Sequence, residues 1–187
     1  MKVGILDHGM GNLRSVAKAL EAAGATTFIS SSSSELGRAD SLCVPGQGIF
    51  GRCMDNMRAG GSSDHVLGWI DAQRPYLGIC LGMQILFEGS GEGGGHPGLG
   101  VFAGRCEKLT GTVTVPHIGW NTVDGDHYYF DHSYAAFPRD DSIVSGWCDH
   151  GQTFAARVEH GSVVGVQFHP EKSGDIGISL LRKWVER

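Results

Sequence analysis

The residue types best suited to chemistry in this chain are a cysteine between two glycines and a histidine close to a glutamate. Residues 78–82 read Gly-Ile-Cys-Leu-Gly, and Cys80 lies between an apolar run that ends at Ile79 and a helix-like run over residues 83–87. A strand that enters a helix through Gly-x-nucleophile-x-Gly is typical of a nucleophile elbow. Glycine relieves crowding around such a strained turn. The pattern therefore predicts a nucleophilic sulfur above the edge of a sheet.

The same turn predicts that backbone groups stabilise negative charge on the sulfur and on the substrate oxygen. The N-terminus of the following helix would favour the thiolate, and the N–H of Leu81 would stabilise an oxyanion. The alternative is a structural cysteine packed between glycines, because free cysteines are among the most buried residues. Residues 78–82 alone do not decide between the two interpretations.

A thiolate needs a base, and His169 has the most suggestive context among nine histidines. It follows the strand-like run Val163–Phe168, and catalytic groups collect at strand ends in open α/β sheets. Positions i and i+2 of an extended segment face the same side, so Glu171 can reach His169, and Pro170 stiffens the pair. The alternative is a loop histidine beside a solvated glutamate. Taken together, Cys80, His169 and Glu171 predict acyl transfer by a thiol hydrolase or amidase whose substrate stays open.

The first half of the chain predicts the elements that would position these groups. Residues 2–29 read as strand, helix, strand, and such an opening implies a right-handed crossover and a parallel sheet. A third strand at 42–44 leads into Pro45-Gly46-Gln47-Gly48, a stretch whose backbone N–H groups could face an oxyanion or form an ordinary turn. Helices are expected at 49–57 and 63–72.

The second half is richer in strand patterns. Short alternating runs predict strands at Thr112–Val115, Tyr128–Phe130, Ile143–Val144, Thr153–Val158 and Val163–Phe168. Residues 174–186 predict an amphipathic last helix. We therefore expect one α/β domain over residues 1–187, with a mostly parallel central sheet flanked by helices and a β-rich extension in the C-terminal half.

Composition narrows the function further. The 187 residues carry a net charge of −5, so nothing indicates a surface for nucleic acid or an anionic membrane. The five cysteines show no metal-ligand spacing, so we expect no metal and no disulfide framework. The chain starts with a strand-like run rather than a signal sequence and has no membrane-length apolar run, which predicts a cytoplasmic protein.

The stretches Gly78–Gln84 and Gln167–Glu171 together resemble the class I glutamine amidotransferases, and the resemblance extends over essentially the whole chain. It implies a flavodoxin-like fold and a triad of Cys80, His169 and Glu171 that cleaves glutamine through a thioester to glutamate and ammonia, without a cofactor. It also implies that the substrate and its oxyanion are held by Gly46, Gly48, Leu81, Gln84, His132, Ser133 and Tyr134.

Within that class, residues 7–12, 116–121 and 132–134 resemble the glutaminase subunits of imidazole glycerol phosphate synthases. This implies a heterodimer with a (β/α)8-barrel cyclase, which receives ammonia through a channel and makes imidazole glycerol phosphate and aminoimidazole carboxamide ribonucleotide for histidine biosynthesis. Hydrolysis is expected to be weak until the partner binds its nucleotide. The residues expected to face the partner are Asn12, His117, Trp120, Asn121 and Lys172.

Some positions depart from the family pattern. Gln47 stands where a small aliphatic residue is usual, and His8 replaces a tyrosine. These differences leave open a paralogue that supplies ammonia to another acceptor enzyme, for example in amidination of a surface sugar. A non-catalytic homologue and a peptidase-like elbow protein are further alternatives, disfavoured by the intact triad and by the residues of the glutamine pocket respectively.

Overall fold

A computed structural model describes residues 1–187, which form six α-helices and thirteen β-strands. The helices are α1 (Leu13–Ala22), α2 (Ser33–Leu36), α3 (Phe50–Ala59), α4 (Ser62–Asp71), α5 (Leu81–Gln84) and α6 (Gly174–Val185). The strands are β1 (Lys2–Leu6), β2 (Thr26–Ser30), β3 (Ser41–Gly46), β4 (Tyr76–Cys80), β5 (Gly89–Ser90), β6 (His96–Pro97), β7 (Gly104–Lys108), β8 (His117–Val123), β9 (Asp126–His132), β10 (Tyr134–Pro138), β11 (Val144–Asp149), β12 (Thr153–His160) and β13 (Val163–Val166). No helix has the length and apolar character needed to cross a bilayer.

Most strands join one sheet in the order β2-β1-β3-β4-β13-β12-β10-β7-β5-β6, with β11 paired to β12. The five strands from β2 to β13 are parallel, and β12, β10 and β7 continue the sheet in antiparallel pairs. Strands β8 and β9 form a separate antiparallel hairpin. This arrangement confirms the expected α/β fold with a parallel core and a β-rich second half.

Strands β1, β3, β4 and β13 are almost fully buried on both faces, as expected for a sheet covered by helices, whereas the edge strand β2 is partly exposed. Side chains of β3 and β4 alternate between two apolar clusters, with Cys43 and Leu77 in one and Leu42 and Tyr76 in the other. Helices α1 and α6 cover the first cluster, and α3 and α4 cover the second. The carboxyl ends of β3, β4 and β13 are thereby held at one edge of a rigid sheet.

Three expectations from the second half of the sequence are wrong in detail. Residues 112–115 form no strand, although their residue types favour one. They precede Pro116, which has no N–H for a β-ladder, and Gly111 before them has a φ of +115°. The strand expected over 163–168 ends at Val166, and Ile143 closes a 3-10 helix before β11.

The helix expected over residues 83–87 is also displaced and shortened to the single turn α5. The backbone carbonyls of Ile85, Leu86 and Phe87 accept hydrogen bonds from the N–H groups of Leu99, Phe102 and Gly100. A continuing helix would need these carbonyls for its own bonds. The glycine-rich loop that returns over this segment therefore ends the helix after one turn.

Candidate active site

Cys80 occupies a strained turn between β4 and α5. Its φ of 53° and ψ of −106° are unusual for a residue with a side chain. A Cβ at Gly78 would overlap the carbonyl of Gly82, and a Cβ at Gly82 would overlap the carbonyl of Val44. Both glycines are therefore required for the turn, in agreement with the prediction of a nucleophile elbow.

The structure brings His169 and Glu171 to the same edge of the sheet as Cys80. Strand β13 pairs with β4 in a register that sets Val166 beside Ile79, so the residues after both strands are neighbours. His169 Nδ1 lies 2.8 Å from Glu171 Oε1, and both side chains are almost fully buried. Because a carboxylate only accepts, Nδ1 donates and Nε2 is left without a protein partner.

The surroundings of His169 favour its charged form. Burial acts to lower the pKa of His169, but the Cys80 sulfur and the Glu171 carboxylate outweigh it and raise the pKa to about 10. An imidazolium beside a cysteine sulfur supplies positive charge where a thiolate would form. Because α5 has only one turn, its N-terminus offers the sulfur a weaker dipole than the longer helix expected from the sequence would have offered.

A cavity of about 250 Å³ opens beside Cys80. This volume is below the range of drug-sized ligand pockets and suits a molecule the size of an amino acid. Its wall includes six of the seven residues expected to hold substrate, namely Gly48, Leu81, Gln84, His132, Ser133 and Tyr134. The seventh, Gly46, lies at the end of β3 opposite Cys80 and lines a much smaller void with His169 and Glu171.

Some polar residues of the site had no predicted role. Gln47 donates to Asp131 at 2.9 Å, and Asp131 and Glu92 line the cavity. Gln167 donates to the Cys80 sulfur at 3.5 Å. The signal for Gln167 was a polar residue within an apolar strand run, but an isolated glutamine does not say what it faces.

The residues expected to face a partner are only partly at the surface. Trp120 is 58% exposed on the β8–β9 hairpin, beside the 59% exposed Ile118, and Asn12 is exposed at the start of α1. Lys172 is partly exposed and lies 3.5 Å from Asp131. The side chain of His117 is buried and is not part of this exposed surface, and a partner-facing role for it stays a prediction.

His117 is buried because β8 alternates its side chains between two faces. Its ring stacks on Phe130 with 4.6 Å between centroids, and its Nδ1 lies 3.0 Å from His132 Nε2. Asn121 reaches the other ring nitrogen of His117 at 3.2 Å. Ile118 and Trp120 lie on the opposite face of β8, where their side chains are exposed.

Comparison with known proteins agrees with this geometry. The family model described as "Glutamine amidotransferase class-I" matches residues 4–186. The sequence is 40% identical to the imidazole glycerol phosphate synthase subunit HisH of Syntrophotalea carbinolica, over 96% of this chain and 97% of that protein. It is 41% identical to the HisH subunit of Aquifex aeolicus, over 100% and 97% of the two chains.

One further relative is a longer protein, and one solved structure has the same fold. The imidazole glycerol phosphate synthase hisHF of Arabidopsis thaliana is 40% identical over 98% of this chain, which covers only 34% of that longer protein. A solved glutamine amidotransferase superposes with a TM-score of 0.80 at 23% identity, covering 98% of this chain and 97% of that chain. At that identity the superposition shows the fold alone.

Proposed function

The chain belongs to the class I glutamine amidotransferase family, within the group of imidazole glycerol phosphate synthase HisH subunits, and we propose that it is the glutaminase subunit of such a synthase. The observation that carries the proposal is the buried Cys80–His169–Glu171 arrangement beside a cavity of amino-acid size. In this role the chain hydrolyses glutamine for histidine biosynthesis and passes the ammonia to a cyclase.

The reaction proceeds in two acyl-transfer steps. The Cys80 sulfur bonds to the carboxamide carbon of glutamine, the C–N bond breaks, and His169 gives a proton to the departing ammonia. Neutral His169 then takes a proton from water, whose oxygen bonds to the thioester carbon. The C–S bond breaks, glutamate leaves, and the sulfur is restored. Glu171 holds the imidazole through Nδ1 and stabilises its positive form.

The cavity residues divide the remaining tasks. Leu81 and the Gly46–Gly48 segment supply backbone near the sulfur for the oxyanion. Gln84 and the backbone of residues 132–134 hold the amino-acid end of glutamine. Both N–H groups of Gln84 already bind protein acceptors, so its Oε1 is the atom that faces substrate, as an acceptor for an N–H of glutamine.

The partner in this proposal is a (β/α)8-barrel cyclase. The Arabidopsis hisHF protein supports a second module, because this chain covers only a third of its length. The partner contacts the exposed side chains of Asn12, Ile118 and Trp120 and the partly exposed side chains of Asn121 and Lys172. Large apolar side chains such as Ile118 and Trp120 are unusual on an isolated surface and suit a protein interface.

The test is glutamate release from glutamine by the purified chain, alone and with a histidine-pathway cyclase and its nucleotide ligand. We expect strong stimulation only when both are added. Glutamate release that is unchanged by the cyclase would support the cysteine chemistry but indicate that the chain supplies ammonia to another acceptor enzyme. A Trp120→Ala variant should need at least about tenfold more cyclase for half-maximal stimulation, whereas Trp147→Ala, an exposed tryptophan on β11, should behave as the parent chain.

A further inference from the structure

Gln167 is a buried glutamine between the nucleophile and the substrate cavity. Its exposure is 0%, and both ends of its side-chain amide form hydrogen bonds. Nε2 donates to the Cys80 sulfur at 3.5 Å, and Oε1 accepts from Gln84 Nε2 at 2.9 Å. Gln84 in turn donates to the backbone carbonyl of Tyr134 at 2.8 Å. A continuous chain of hydrogen bonds therefore joins the wall of the cavity to the sulfur.

The direction of this chain is fixed by the backbone. The Tyr134 carbonyl can only accept, so the Gln84 atom that contacts it must be the amide nitrogen. The second hydrogen of that nitrogen points to Gln167, and the facing atom of Gln167 must therefore be its oxygen. Gln167 then turns its NH2 group to Cys80 and cannot flip without losing the bond to Gln84.

A donor at this position adds to the support that the triad gives the sulfur. A buried charge is costly unless it is hydrogen-bonded, and a hydrogen bond to the charged form favours it. His169 supplies a positive charge to the thiolate before attack and again when the sulfur leaves the thioester. The amide of Gln167 adds a hydrogen bond from a second direction at both stages, and it carries no proton that the reaction removes.

We propose that Gln167 is a positioning residue for the glutaminase reaction, whose amide holds the Cys80 sulfur in place and stabilises it as an attacking and leaving thiolate. Through Gln84 the same amide ties the sulfur to the wall of the cavity. The inference rests on the proposed cysteine chemistry, but it concerns a residue outside the triad and can fail while that chemistry stands.

The test compares Gln167→Met, which keeps a similar length and removes the donor, with the parent chain in the stimulated complex. Alkylation of Cys80 by iodoacetamide is followed by peptide mass spectrometry, because the chain has five free cysteines. We expect alkylation at pH 7 and kcat to fall by about tenfold or more, because a hydrogen bond to a charged group is lost. KM for glutamine should stay within about twofold. Gln152→Met, at a half-buried glutamine bound to Thr110, is the matched control and should behave as the parent.

A second variant separates charge from packing. In Gln167→Glu a carboxylate faces the sulfur at neutral pH, so alkylation should be slower than in Gln167→Met and should recover relative to the parent as the pH falls. Parent-like alkylation and kcat in both variants, with only a lower melting temperature, would show that Gln167 serves packing alone. A parent chain that releases no glutamate would instead contradict the proposed function, since alkylation does not require glutamine.

The parent chain offers a measurement that needs no Gln167 variant. The side-chain 1H and 15N resonances of Gln167 should differ between the parent and Cys80→Ala, because the variant removes the sulfur that accepts from Nε2. Identical resonances in the two chains would overturn the proposal.

Discussion

Buried histidines occur in two regions close to the substrate cavity, and their surroundings drive their charge in opposite directions. Burial acts to lower the pKa of His117, His132 and His169. At His169, Cys80 and Glu171 outweigh burial and raise the pKa to about 10. Beneath the β8–β9 hairpin, burial prevails, lowering the pKa of His117 to about 4 and that of His132 to about 3. The Cys80 sulfur and the buried Glu171 carboxylate, rather than a difference in burial, distinguish the two regions.

Hydrogen bonds in the second region fix neutral rings. His132 Nδ1 lies 2.9 Å from the carbonyl of Tyr134, so it must carry a proton, and its Nε2 accepts from His117 Nδ1. The outer nitrogen of His117 then accepts from Asn121. A further proton on either ring would find no acceptor. This region therefore holds two neutral rings, whereas the surroundings of His169 favour a protonated ring.

The largest effect is expected for Cys80→Ala, which should remove activity at the region of His169 without loss of stability. Loss of the nucleophile should reduce glutamate release by the stimulated complex by about 10⁴-fold or more. Its melting temperature should stay close to that of the parent, because only one small buried atom is removed. Synthesis from added ammonia should persist, since the partner carries out that chemistry.

Loss of ammonia-dependent synthesis as well would show that Cys80 does more than supply ammonia. Residual glutamine-dependent activity above a few per cent of the parent rate would contradict its role as nucleophile. Both rates are measured in one complex, so a defect in assembly is recognised by its effect on the two together.

Glu171→Gln should produce the next largest effect. The neutral amide no longer supports the imidazolium, so kcat should fall about 100-fold or more, and the pKa of His169 read from the pH–rate profile should move down. The control is Glu159→Gln, which removes a partly exposed ion pair with Arg187 at 2.7 Å. An unchanged profile in Glu171→Gln would mean that Glu171 only anchors the loop.

The geometry of the proposed catalytic elements could be predicted because its signals are local. The elbow depends on glycines two positions from Cys80, and Glu171 reaches His169 from two residues away. Alternation of apolar residues likewise predicted β12 and most of β13. In each case the residues that decide the structure are neighbours in the sequence.

The features that were missed depend on contacts between distant segments. The helix after Cys80 ends early because a loop some fourteen residues later binds its carbonyls. The burial of His117 depends on Phe130 and His132, whose contacts with it are not visible in the sequence. The role of Gln167 appears only when β13 lies beside β4 and Gln84.

His117→Ala should have the opposite effect to Cys80→Ala, because it should lower the melting temperature more than it lowers the rate of glutamate release. It removes a stacked ring and leaves His132 Nε2 without its donor, at a cost of about 3 kcal/mol. The melting temperature should fall by about 6–12 °C, as judged by calorimetry. His127→Ala, at an exposed position on β9, should change the free energy of unfolding by less than about 0.5 kcal/mol.

A melting temperature unchanged by His117→Ala would contradict a structural role for the histidine pair. In that case the pair would have to be a functional element of the cavity, and kcat or KM should then change instead. Measuring both quantities on the same variant decides between these outcomes.

The smallest expected effect is the pH dependence of stability. The folded-state pKa values of His117 and His132 lie below the usual unfolded value of about 6.5, so the unfolded chain binds more protons as the pH falls. Their stabilising contribution is present above about pH 6.5 and is lost towards pH 4. The raised pKa of His169 acts in the other direction, so its contribution is present below about pH 6.5 and is lost as the pH rises towards 10.

Denaturant unfolding of the parent and of His117→Phe between pH 6.5 and pH 5 isolates one member of the pair. The parent should lose about 1–2 kcal/mol more than the variant over this interval, because the variant lacks a ring that takes up a proton on unfolding. Equal losses would mean that His117 is already protonated when folded. A protonated His117 could not accept from Asn121, so the directed chain of hydrogen bonds to the Tyr134 carbonyl would have to be abandoned, and with it the contrast between the two regions.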